Sequence, residues 1–132
     1  MTARPGLGLS VLPNELAIAR LAANADVPTW ALQHHAPLIS ITRTEHELSI
    51  VAPAALIPAS VAREGPWRAL AVHGPLDFSE VGILAALAAA LADAGVSLFA
   101  ISTYDTDLLL VRSERLADAV AALSAAGHRV VA

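Results

Sequence analysis

The chain has 132 residues and a net charge of −4; it is 56% hydrophobic but only 4% aromatic, so its core must be built from Leu, Val, Ile and Ala. It has no cysteine, which excludes disulfides, thiol nucleophiles and thiolate metal sites and fits a cytoplasmic setting. The basic residues are all arginines, scattered from Arg4 to Arg129, which disfavours a nucleic-acid surface; the longest apolar run, about Val81 to Ala92, is shorter than the roughly 20 residues that span a bilayer.

The residues after Met1 carry one positive charge and no following apolar stretch, so no secretory leader is expected. Strand-like stretches follow at Leu7 to Leu12, Leu16 to Leu21, and the pair Leu38 to Arg43 and Leu48 to Ala52, joined by a hairpin loop at Thr44-Glu45-His46-Glu47. A short helix entered at Pro28 fits Asp26 to Ala31, and Pro53 to Ile57 fits the stub of another. The stretch from Pro58 to Pro66 reads as a hinge, dividing an N-terminal half, residues 1–64, from a C-terminal domain, residues 65–132.

The C-terminal part is more legible. Trp67 to His73 reads as a strand. Asp77-Phe78-Ser79-Glu80 has the D-x-x-E form of a capping box, before a helix from Val81 to Ala94 that Gly95 closes. Ser97 to Thr103 and Asp107 to Arg112 form a hairpin about Tyr104-Asp105-Thr106. Ser113 can cap a helix with Leu116, Val120 and Leu123 on one face, ending at Gly127 before a last strand, His128 to Val131. The order βαββαβ predicts an α+β, ferredoxin-like domain with both helices on one face of a four-stranded antiparallel sheet.

Gly74-Pro75-Leu76-Asp77-Phe78-Ser79-Glu80-Val81-Gly82-Ile83-Leu84-Ala85, followed by Gly95 to Asp107, resembles the ACT domain of small bacterial tandem ACT proteins, and is similar to the ACT repeats of cytosolic arginine-sensing proteins. Ile41-Thr42-Arg43-Thr44 with Glu47 to Val51 resembles the first-half hairpin of the bacterial group. The resemblance implies a tandem ACT fold with a degenerate N-terminal repeat and a complete C-terminal one. It implies a non-catalytic regulatory protein that binds a small amino acid at an ACT–ACT interface, pairs as a dimer and acts on a protein partner. The ligand-binding residues that it implies are Phe78, Glu80, Val81, Gly82 and Ile83 around the helix start, and Ile101, Thr103, Tyr104 and Asp107 at the hairpin.

Local chemistry offers several residues of these segments a second reading. Asp77 and Glu80 are explained as a capping box, Asp105 as a turn residue, and Asp107 as the solvated end of a strand. Gly82, in a helical first turn, costs about 1 kcal/mol against Ala and implies a close approach of backbone or ligand. The histidines, His34, His35, His46, His73 and His128, show no metal-ligand spacing, and no H-E-x-x-H, G-x-S-x-G or phosphate-binding glycine loop is present. Neither a metal nor a cofactor is expected. The alternative function is an oligomerisation module without a ligand.

Overall fold

The structure is a computed structural model, and it describes residues 6–74 and 82–132. The chain divides into two compact units, Pro13–Trp67 and a second made of Met1–Leu12 with Arg68–Ala132.

The unit Pro13–Trp67 is built on β2 (Leu16–Leu21), β3 (Ser40–Arg43), β4 (Leu48–Pro53) and the first half of β5 (Arg63–Val72); β1 (Gly8–Val11) belongs to the other unit. Its sheet runs β3-β4-β2-β5, antiparallel throughout. Single 3-10 turns, Thr29–Ala31 and Ala54–Leu56, stand where the short helices are expected. Cross-strand pairs Ala17 with Ala52 and Ala19 with Ile50 put small and branched side chains on one face, where Leu48, Ala31 and Ile57 complete a buried cluster. The predicted hairpin loop forms: Thr44 Oγ1 accepts hydrogen bonds from the amides of His46 (3.1 Å) and Glu47 (3.2 Å).

Residues 58–66, the expected hinge, are held by side-chain and strand bonds, and the division between the units falls just after them, at Trp67 and Arg68. Arg63 donates to the carbonyl oxygens of Ile57 (3.1 Å), Val61 (3.3 Å) and Pro58, and β5 is continuous from Arg63, not from Trp67. The pairing of β5 with β2 steps from Leu16–Trp67 to Ile18–Glu64, a bulge that takes up Gly65 and Pro66 on the β5 side. Proline is tolerated in a strand at such an irregularity, where its missing N–H breaks no ladder bond; the Gly65–Pro66 peptide is cis.

The other unit carries the predicted βαββαβ order: the second half of β5, α1 (Ile83–Asp93), β6 (Phe99–Ser102), β7 (Asp107–Arg112), α2 (Leu116–Ala125) and β8 (Arg129–Val131). Both helices cover one face of the sheet, and Ile83, Leu87 and Leu91 of α1 meet Ala119 and Leu123 of α2 over Leu70, Val72, Leu109 and Val111. The sheet has one strand more than expected. β1 lies between β5 and β8, antiparallel to the first and parallel to the second. The alternation of β1 explains its place: Leu9 is fully buried in this unit's core, with Leu7 and Val11 packed against the same cluster.

Helix ends correct two further expectations. The N-cap of α1 is Gly82, at φ 85° and ψ 0°, with no side-chain capping bond; the expected capping box, Asp77 and Glu80, lies outside the described residues. Ser113 does not cap α2. Ser113 opens a 3-10 turn instead, and its Oγ is buried with no hydrogen-bond partner among the described residues. Both C-termini are as expected. The Val96 amide donates to the Leu91 carbonyl and that of Gly95 to Ala92, both at 2.9 Å, while Gly127 and His128 repeat the pattern at the end of α2.

Candidate functional site

The tip of the β6–β7 hairpin lies at the end of the sheet where β5 runs out. Thr106 Oγ1 donates to the Val72 carbonyl oxygen at 2.7 Å, which places the tip of the β6–β7 hairpin beside the last residue of β5. The tip is itself closed: Thr103 N donates to the Thr106 carbonyl (2.8 Å), and the Thr106 amide donates back to Thr103 Oγ1 (3.2 Å). Thr106, expected only as a turn residue, is what ties this tip down. Its signal was a second threonine flanking Tyr104-Asp105, a pair able to brace a turn from both sides.

Gly82 owes its identity to backbone conformation, since a φ of 85° is strained for any side-chain-bearing residue and free for glycine. The α1 N-terminus leaves amide groups without helical partners, the usual complement to a carboxylate. Ile83 is a core residue, 5% exposed. Phe78, Glu80 and Val81 lie outside the described residues.

On the hairpin, cross-strand partners share a face, and Ser102 pairs with Asp107 while Ile101 pairs with Leu108. Asp107 therefore belongs with Leu109 and Val111 on the helix-covered face, at its rim, and Ile101 lies on the opposite one. Ser102 Oγ donates to Asp107 Oδ1 at 2.7 Å, orienting the carboxylate and leaving Oδ2 its second acceptor. Tyr104, 81% exposed, projects from the tip. The structure places Gly82 at the start of a helix that covers one face of the sheet, Asp107 at the rim of that face, Ile101 on the other face, and Thr103 and Tyr104 on the hairpin loop. Among the described residues, no three His, Asp or Glu side chains are placed to hold a metal ion. No described helix is long and apolar enough to cross a membrane.

The ACT domain family matches residues 62–125, from β5 through α2, and a second family, described as an N-terminal domain, matches residues 14–60. Protein Atu0741 from Agobacterium tumefaciens, known from an X-ray crystal structure, is 38% identical; the alignment covers 97% of this chain and 94% of that one, with a TM-score of 0.89. The chain belongs to the Atu0741 family and carries an ACT domain. Two more distant likenesses show the shared fold alone. VC0802 from Vibrio cholerae, described as a possible transport protein of unknown function, is 20% identical over 92% of this ACT-domain protein and 91% of its own chain, with a TM-score of 0.75. The regulatory subunit of aspartate kinase from Thermus flavus is 14% identical over 95% and 99% of the two chains, with a TM-score of 0.59. No curated protein matches the chain in sequence.

Proposed function

We propose that this ACT-domain protein is a regulatory ligand sensor, non-catalytic and cytoplasmic, that binds a small amino acid at an ACT–ACT interface. Two features of the C-terminal unit support the reading, a glycine-opened helix N-terminus and a carboxylate held by a neighbouring hydroxyl. The N-terminus of α1, opened by Gly82, suits a carboxylate, and Asp107, oriented by Ser102, suits an ammonium or guanidinium. A zwitterion needs both. Phe78, Glu80, Val81, Thr103 and Tyr104 are proposed as further ligand contacts.

The N-terminal unit supports the tandem part of the reading. Its elements follow the order strand, 3-10 turn, strand, strand, 3-10 turn, strand, and its first strand lies between the fourth and the third, as in a ferredoxin-like sheet. With single turns for helices it is a degenerate repeat, and it offers no long helix N-terminus of its own. The second half of the site therefore comes from a second copy of the chain, and the sensor acts as a dimer whose pairing the ligand biases for a protein partner to read.

A thermal-shift screen against the twenty amino acids tests this. A ligand at 100 times its dissociation constant adds about 2.7 kcal/mol to native-state stability. A rise in melting temperature for one class of amino acid, absent in Asp107→Ala, supports the sensor. No rise for any of them supports the oligomerisation module instead.

A further inference from the structure

The start of β1, the strand that the βαββαβ order does not require, is fastened by a histidine. β1 runs parallel to β8, and the Arg129 amide donates to the Leu7 carbonyl at 2.8 Å. The Leu7 amide itself, half-buried, donates to a ring nitrogen, Nδ1 of His128, at 3.1 Å. Just before it the chain passes close over the connection from α2 to β8, where a Cβ on Gly6 would strike the Gly127 carbonyl oxygen. Leu7 packs against the buried cluster beneath both helices. One imidazole thus ties the end of α2 to the start of β1.

An imidazole nitrogen accepts a hydrogen bond only while it carries no proton, so this bond belongs to the neutral ring with its proton on Nε2; in the charged ring both nitrogens donate, and Nδ1–H would face the Leu7 N–H donor to donor. We propose that His128 is a proton-controlled latch: neutral, it fastens the start of β1 beside β8, and protonated, it releases residues 6–8 while the rest of β1 stays paired. Few charged groups surround it. β1 has none, and the one on α2, Asp118, is bound to Arg115 at 2.9 Å in the first turn, at the opposite end of the helix from His128. Arg129 follows on β8, and His73 of β5 approaches its guanidinium across Gly8. Among the described residues no carboxylate pairs with the His128 ring, so no ion pair formed on protonation offsets the lost bond.

Amide hydrogen exchange of the full chain, followed by NMR from about pH 8 to about pH 5, the range in which histidine changes charge, tests the latch. Expressed as protection factors, which divide out the intrinsic pH dependence of exchange, the Leu7 and Arg129 amides should lose about fivefold in protection as the pH falls, the weight of one hydrogen bond. In His128→Asn, whose Oδ1 stands in the place of Nδ1 and does not titrate, they should stay protected across the range. His128→Phe, with no acceptor, should show the low protection throughout, and His73→Asn should behave as the parent does. Protection that is independent of pH in the parent, that falls equally in His128→Asn, or whose loss is abolished by His73→Asn overturns the latch.

Discussion

The hydroxyl of Thr106 donates to the carbonyl oxygen of Val72 at 2.7 Å, tying the tip of the β6–β7 hairpin to the end of β5. A half-buried side chain-to-backbone bond of this kind contributes about 1 kcal/mol. Thr106→Val, which keeps the shape and removes the hydroxyl, should lower the unfolding free energy by about that much in urea denaturation, and Thr106→Ser should restore most of it. If Tyr104 and Asp107 serve a ligand, Thr106→Val should also weaken amino-acid binding by loosening the tip.

Asp107 separates stability from binding. Asparagine at 107 keeps the acceptor oxygen that Ser102 Oγ uses and removes the charge. Asp107→Asn should unfold within about 0.5 kcal/mol of the parent chain, as surface substitutions usually do. Its amino-acid-dependent thermal shift should nevertheless vanish. A variant that unfolds early would show Asp107 to be structural.

Gly82 is held at φ 85° at the start of α1. Alanine there should cost about 1 to 2 kcal/mol, the penalty of the left-handed region for an L side chain. Gly95, at φ 71°, has nothing within 4 Å of a built Cβ, so Gly95→Ala reports conformational strain without a clash. Gly95→Asn should cost less than Gly95→Ala, because asparagine tolerates that region better. Chemical denaturation of the three variants checks both statements.

Leu9 is fully buried in the cluster that joins both helices to the sheet of the C-terminal unit. Leu9→Ala should cost about 2 to 5 kcal/mol. Hydrogen exchange locates the effect: β8 pairs with β1, so the amides of Arg129 to Val131 should lose protection while those of β3 and β4 keep theirs. Equal loss in all of them would contradict the place of β1.

Local sequence determined the elements of the C-terminal unit, because each depends on neighbours within a few residues. Helical spacing at Leu87 and Leu91, glycines at 95 and 127, and two threonines about Tyr104-Asp105 mark helices, their ends and a turn without reference to the rest of the chain. The same locality explains where the reading departed from the structure. Leu7 to Leu12 reads as a strand, but whether it joins the nearer sheet or the distant partners Val72 and Val130 depends on which core accepts Leu9. Gly65-Pro66 reads as a break, yet a bulge opposite β2 absorbs it. Asp107 and Ile101 read as neighbours in one pocket, and strand register sends them to opposite faces. The 2.6 Å approach of Ser10 Oγ to His73 Nε2 has no signature in sequence, since the two residues meet only when β1 and β5 pair. Elements are set by short-range periodicity and turn chemistry; pairing, register and the sites that they create depend on long-range packing, which the tertiary structure alone decides.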